Sequence, residues 1–256
     1  MTADLTPAEA ARLALRCLDL TSLNDGDTDA DIDALCRRAQ SPFGPVAAVC
    51  VWPRFVGLAR VLLPVGIRVA AVANFPAGEL DLSPALAEVQ TIAEAGGDEV
   101  DVVLPYRALM QGQVAACADF LAAVRQASRP LALKVIIESG ELATPALIAQ
   151  ATRLALAAGA DFVKTSTGKT RVSATPEAAA VMLTEIVAGG FDKAGFKASG
   201  GLRTVADATV YLLLAAQHLG TSALNPQRLR FGASGLLTAV EAQLSGRAST
   251  GAASGY

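Results

Sequence analysis

Three lysines occupy positions where an apolar residue would be expected. They are Lys134 in "LALKVII", Lys164 at the end of "DFVK", and Lys197 in "AGFKASG". The chain has only five lysines against sixteen arginines, so arginine supplies the routine surface charge. Composition bias can give such a ratio by itself, and position therefore says more. A lysine inside an apolar run is partly desolvated, and desolvation or a second cation nearby lowers its pKa. An arginine in the same place stays protonated. A neutral lysine amine can attack a carbonyl carbon and form a Schiff base. The competing reading of any one such lysine is a buried ion pair, or a side chain that snorkels to the rim. Three of them in consecutive strand-like runs favour chemistry.

Carboxylates are available to partner these amines. Asp101 in "EVDVV" alternates with Val100 and Val102, so it shares a strand face with Glu99 and Val103. Asp19 in "CLDLTSLND" lies at the end of the first strand-like run. An acid inside an apolar strand costs free energy unless it is paired, and the interior lysines are the natural partners. That gives Asp101 a role as proton shuttle or electrostatic support. Glu138, after the fifth run, is a weaker candidate that a loop salt bridge would explain as well.

The elements that must position these groups follow a period of about thirty residues. Strand-like runs are "CLDL" (17–20), "AAVCV" (47–51), "RVAAVA" (68–73), "EVDVV" (99–103), "ALKVII" (132–137), "DFVK" (161–164), "GFKA" (195–198) and "LRF" (229–231). Amphipathic stretches lie between them, four opening on Ser83, Thr144, Thr175 and Thr204, whose hydroxyls can cap free backbone N–H groups. Eight strands each followed by a helix, in this length, predict an α/β fold: a (β/α)8 barrel over a single domain, residues 1–244. An extra helix, 6–17, is expected to precede the first strand and cover the bottom of the barrel. Residues 245–256 read as a flexible tail. Chemistry in this architecture belongs at the C-terminal ends of the strands.

Two small-residue loops stand where a phosphate would sit in such a barrel, "ASGGLRT" after the seventh strand and "FGASGLL" after the eighth. Glycines let the backbone approach an anion, and helix N-termini face it with N–H groups. Gly200, Gly201, Leu202 and Arg203 would line one side of the site. Gly232, Ser234 and Gly235 would line the other, with Gly168 and Lys169 contributing from the loop after the sixth strand. The tetrapeptide "TGKT" at 167–170 also matches the end of a nucleotide-binding P-loop. That motif needs a glycine five residues before Gly168, and Val163 stands there, so the nucleotide reading fails.

The rest of the composition excludes several classes. The chain is 52% hydrophobic, but no run of eighteen or more apolar residues suggests a membrane span. A net charge of −3 argues against nucleic acid as partner. The N-terminal decapeptide lacks a secretory pattern. Cys17, Cys36, Cys50 and Cys117 form no C-x-x-C pair and read as buried, reduced thiols of a cytoplasmic protein. One histidine, His218, in a helical pattern, makes a zinc site improbable, so no metal is expected.

At this level of detail the sequence resembles the deoxyribose-phosphate aldolase family. "VDVVLPYRALMQG", "LKVIIESGEL", "GADFVKTSTGK", "ATPEAA", "GFKASGGLRT" and "RFGASGLL" carry the resemblance, which runs from "LDLTSLNDGDT" to the terminal tyrosine. It implies a (β/α)8 barrel and a metal-free, cofactor-free class I aldolase. Such an enzyme reversibly cleaves 2-deoxy-D-ribose 5-phosphate to D-glyceraldehyde 3-phosphate and acetaldehyde. By the same resemblance Lys164 is the Schiff-base nucleophile, and Lys197 is the second lysine that keeps it deprotonated. Asp101 is the acid/base partner, Asp19 and Lys134 support the site, and Tyr256 dips into it to help protonate an enamine. The expected partners are a phosphosugar and further copies of the chain, a dimer first. The chain departs from the family pattern in having "KASGG" for "KPAGG" and Ser234–Gly235 where two serines are common, which predicts weaker phosphate binding. A phosphosugar isomerase or synthase that uses lysine only for its charge is the competing enzyme reading, and a barrel that only binds a phosphosugar the non-enzyme one.

Overall fold

The computed structural model describes residues 5–246. Eight parallel strands close into a barrel. They are β1 (Leu18–Thr21), β2 (Ala48–Val51), β3 (Arg68–Ala73), β4 (Glu99–Val103), β5 (Ala132–Ile136), β6 (Phe162–Lys164), β7 (Gly195–Ser199) and β8 (Leu229–Ala233). Each pairs with its sequence neighbours, and β8 closes on β1 through Leu18–Phe231 and Asp19–Gly232. All eight expected runs are strands, with ends moved by a residue or two.

A helix follows each strand. The ring comprises α2 (Asp29–Arg38), α3 (Val56–Leu62), α4 (Leu82–Glu94), α5 (Val114–Ala127), α6 (Pro145–Ala157), α7 (Pro176–Ala188), α8 (Val205–Leu219) and α9 (Leu236–Leu244). The hydroxyls of Thr144, Thr175 and Thr204 accept N–H bonds from the first turns of α6, α7 and α8, as expected. Each such cap is worth about 1 kcal/mol. The cap of α4 differs: Asp81, not Ser83, is the N-cap, and Ser83 donates its backbone N–H to the Asp81 carboxylate. The preceding helix α1 (Pro7–Arg16) is capped reciprocally by Thr6 and Glu9. It packs against α8 and α9, and Arg12, Leu15 and Arg16 reach the N-terminal mouth of the barrel. No helix among the described residues is long and apolar enough to cross a membrane. The expected tail is described only at Ser245 and Gly246. The rest of it, Tyr256 included, lies outside the described residues.

Strand alternation sorts the side chains into two compartments. Val49, Val51, Val69, Val100, Val102, Leu133, Val135, Val163, Phe196 and Phe231 point outward and pack with the helices in one continuous apolar core. Inside the barrel, Cys50, Ala70 and Val72 from β2 and β3 form a small separate apolar cluster with Leu23. The remaining strands fill the interior with charge instead of the usual branched aliphatic layers. Asp19, Glu99, Asp101, Lys134, Lys164, Lys197 and Arg230 are all at most 4% exposed.

Candidate active site

Period-2 alternation puts these seven side chains on the inner face, and the barrel register stacks them. Lys134 stands beside Asp101 across β4 and β5, Lys164 beside Lys197 across β6 and β7, and Lys197 beside Arg230 across β7 and β8. Asp101 is the hub. Its Oδ1 accepts from Lys134 Nζ at 2.7 Å, and its Oδ2 accepts from both Lys164 and Lys197 at 2.8 Å. Lys197 Nζ also donates to Asp19 Oδ2 at 2.5 Å. Toward the N-terminal mouth, Lys134 pairs with Glu99 at 2.5 Å. Arg230 donates to Asp19 Oδ1 at 2.6 Å and to Glu99 Oε1 at 2.8 Å.

The electrostatics separate the three lysines. Burial pushes the Lys164 amine below its ordinary value. The neighbouring Lys197 ammonium adds to the push, and Asp101 opposes it without prevailing. Lys164 and Lys197 each lie 2.8 Å from the same carboxylate oxygen, so their nitrogens are less than about 6 Å apart. At the effective dielectric of a protein, two ammonium groups at that distance repel by about 3 kcal/mol. Burial acts on Lys197 too, but Asp101 and Asp19 outweigh it and hold the amine above its ordinary value. Lys134 is likewise raised against burial by Asp101 and Glu99. Burial would raise Asp101 and Asp19, yet the surrounding cations hold both carboxylates well below the ordinary range. One amine able to lose its proton therefore sits next to one held charged, with an ionised carboxylate between them.

Above this cluster a cleft of about 500 Å³ opens among the loops after β1, β6, β7 and β8. It is lined by all nine residues expected to meet a phosphate: Gly168, Lys169, Gly200, Gly201, Leu202, Arg203, Gly232, Ser234 and Gly235. Gly200 and Gly201 both hold left-handed backbones, φ 84° and 80°. A Cβ on Gly200 would stand 2.5 Å from Ser173 Oγ, and one on Gly232 would stand 2.6 Å from Ser199 Oγ and 3.1 Å from Lys197 Cε. Glycine at 232 thus leaves room for the lysine beneath. Leu202 is buried in the outer core and offers the cleft only its main chain. The two helix N-termini are unequal. Asp207 already accepts the N–H groups of Arg203 and Thr204 at the start of α8. No side chain caps α9, whose N-cap is Gly235. An anion would therefore find the freer helix end at α9.

Sequence reasoning missed several members of the site. The loop after β1 contributes Thr21, Ser22, Leu23 and Asn24 to the cleft, and Lys169 Nζ is tethered to Leu23 O at 2.7 Å. Glu99 and Arg230 had no assigned part. Their signal was alternation: Glu99 lies two residues before Asp101, and Arg230 stands between Leu229 and Phe231. Glu138 forms no loop salt bridge among the described residues. It sits at the end of β5 with φ 54°, and its carboxylate accepts from the Thr167 hydroxyl at 2.5 Å and the Thr167 N–H at 3.3 Å. Burial raises its pKa against these bonds. It braces the loop that carries Gly168 and Lys169. Among the described residues no group of three or more His, Cys, Asp or Glu side chains is placed to hold a metal ion. A larger cavity, about 740 Å³, opens at the opposite mouth among Arg68, Arg125, Arg129, Lys193 and Arg230.

A closed parallel barrel with a buried, depressed lysine amine at the C-terminal end of β6, and a glycine-lined cleft formed by the loops at that same end, defines a barrel equipped for carbonyl chemistry. The chain belongs to the DeoC/LacD aldolase family, whose pattern matches residues 13–240. It is 48% identical over 260 residues to the deoxyribose-phosphate aldolase of Agrobacterium fabrum, with each chain covered completely. Among solved structures it resembles one from Coccidioides immitis, with a TM-score of 0.78, 30% identity, and 90% of this chain and 86% of that one covered. It also resembles the tetrameric deoxyribose phosphate aldolase of Aeropyrum pernix, with a TM-score of 0.73, 26% identity, and 93% and 92% covered.

Proposed function

We propose that this protein is a class I aldolase that reversibly cleaves 2-deoxy-D-ribose 5-phosphate to D-glyceraldehyde 3-phosphate and acetaldehyde, with Lys164 as the Schiff-base nucleophile. The observation that carries the reading is the uneven pairing of the three buried lysines: Lys134 lies near three carboxylates and Lys197 touches two, whereas Lys164 touches one oxygen that Lys197 shares, and burial holds its amine below its ordinary value. Lys164 is then the interior amine that gives up its proton most readily, at the end of the strand whose following loop lines a cleft that suits a phosphate.

The neutral Lys164 nitrogen adds to the C1 aldehyde of the open-chain sugar. The carbinolamine loses its hydroxyl as water, with Lys197 as the nearest proton donor, and an iminium forms. Asp101, which touches both lysines, accepts the proton of the C3 hydroxyl. As the C3 oxygen becomes a carbonyl, the C2–C3 bond breaks and its electron pair enters the iminium to give an enamine. Glyceraldehyde 3-phosphate leaves, a proton returns to C2, and water hydrolyses the new iminium to acetaldehyde and free Lys164. The phosphate is held by the main chain of Gly200 and Gly201, the Ser234 hydroxyl, the N-terminus of α9 and the Arg203 and Lys169 charges. Asp19 holds the Lys197 ammonium in place, and Lys134 holds the hub carboxylate. The working form is a homo-oligomer in the cytoplasm, and sedimentation velocity separates an expected dimer from a tetramer like that of the Aeropyrum pernix protein.

The test is to incubate the protein with acetaldehyde, reduce with borohydride and map the adduct by mass spectrometry. An added ethyl mass on Lys164 is expected. Turnover without a covalent adduct would establish instead a barrel that uses lysine only for its charge.

A further inference from the structure

Two buried ionised groups take no part in that chemistry, Glu99 and Arg230. Glu99 opens β4 at the N-terminal mouth, and Arg230 is the second residue of β8. Neither contacts Lys164. We propose that Arg230 and Glu99 are positioning residues: they set the charge balance of the buried cluster so that Lys164, and not Lys134 or Lys197, is the amine left without a proton. The inference rests on Lys164 being the Schiff-base nucleophile.

The pairing pattern carries it. The cluster holds three carboxylates, Asp19, Glu99 and Asp101, and four basic side chains, Lys134, Lys164, Lys197 and Arg230. Charge balances when one of the four is neutral, and a surplus buried charge is costly. Lys134 lies within 3.7 Å of all three carboxylates. Lys197 touches two, Asp19 and Asp101. Arg230 touches two, Asp19 and Glu99. Lys164 touches one, through an oxygen that Lys197 shares. The amine with the fewest anionic neighbours gives up its proton first.

Arg230 makes that ordering possible. A guanidinium cannot be the group that deprotonates, so it commits one full positive charge to Asp19 and Glu99. It is also locked in place. Its Nε donates to Pro226 O at 2.5 Å, and its guanidinium lies 5.4 Å from the centroid of the Phe162 ring. The other groups facing the cluster do not upset the count. Cys50 on β2 and Cys17 before β1 are buried thiols raised above their ordinary value, Cys17 to about 12, and stay neutral. Arg68 on β3 approaches Glu99 only to 3.6 Å and is 57% exposed, so solvent screens it. Without Arg230 the cluster would hold three acids against three lysines, and balance would then keep the proton on Lys164.

The experiment follows the pH dependence of cyanoborohydride trapping of acetaldehyde on Lys164, between about pH 5 and pH 10. Mass mapping reads the adduct, and circular dichroism verifies folding. Arg230→Met is expected to move the acid limb of trapping up by about one pH unit or more. Arg230→Met combined with Glu99→Gln removes one charge of each sign and is expected to return the limb toward the parent. A folded Arg230→Met with an unmoved limb overturns the proposal, as does a folded double variant displaced as far as Arg230→Met. Should Arg230→Met fail to fold, Glu99→Gln decides: a lowered limb is expected, and a raised or unmoved one overturns it. A parent protein that forms no adduct on Lys164 overturns the Schiff-base reading itself, which distinguishes the two failures.

Discussion

The two ends of the barrel interior are built from the same chemical groups and behave in opposite ways. At the N-terminal end, Arg230, Glu99, Asp19 and Lys134 form ion pairs in which every charge has at least two opposite partners. At the C-terminal end, Lys164 has one partner and must share it with Lys197. The lower end is fully paired, whereas the upper end is short of one anion. On the proposed reading, that deficit is what frees Lys164 of its proton and leaves it nucleophilic. The same contrast separates the two mouths, one lined by arginines and the other by glycines and small hydroxyls.

Removing one lysine at a time gives the largest expected effect. Lys164→Met and Lys197→Met should each lower kcat by about 10³-fold or more. Their stabilities should diverge. Lys164 is held below its ordinary 10.5, so the unfolded chain binds that proton more tightly and the residue costs stability at neutral pH. Lys164→Met should therefore unfold at equal or higher urea, by about 1 kcal/mol. Lys197→Met strips a partner from both Asp19 and Asp101 and should lose about 3–5 kcal/mol. Equal destabilisation by both substitutions would erase the distinction between the ends.

Asp101→Asn keeps the shape of the hub while removing its charge. It should lower kcat by about 10²–10⁴-fold, measured as acetaldehyde release. Acidification probes the satisfied end. Asp19, Glu99 and Asp101 are all held below their ordinary values. Their contribution to stability is therefore complete above the unfolded carboxylate range, about pH 4, and is lost as pH falls through the lower native values. Urea midpoints taken downward from about pH 5 should drop steeply, and a flat profile would contradict the paired lower end. The smallest effect belongs to Gly235→Ser. A Cβ at Gly235 meets nothing within 4 Å and its φ is −93°, so the added hydroxyl fits without strain. It should donate to a phosphate at the start of α9, lowering KM by about fivefold, as one added hydrogen bond of about 1 kcal/mol would.

Much of this was legible in particular residues. Lys134, Lys164 and Lys197 announced themselves by standing in apolar runs, and Asp101 by alternating with valines, because a strand buried on both faces tolerates a charge only with a partner. The caps at Thr144, Thr175 and Thr204 were readable because each is a hydroxyl residue that opens an apolar stretch, with Pro next after Thr144 and Thr175. Ser83 misled because Asp81, two residues earlier, offers a stronger acceptor in the same geometry. Arg230 stands out in the sequence only by alternating with Leu229 and Phe231, and a guanidinium is not itself a nucleophile. Its value lies in what it touches, and Glu99 lies 131 positions away.

The sequence alone determined the eight strands, their order and the three lysines and Asp101 inside the barrel, since these follow from local periodicity and burial. Which amine loses its proton was decided only by the closed structure. Lys134, Lys164 and Lys197 are alike as side chains, and each lies in an apolar strand. They differ in how many carboxylates the barrel register sets beside them, and that count exists only once β8 has closed on β1 and brought Arg230 to Asp19.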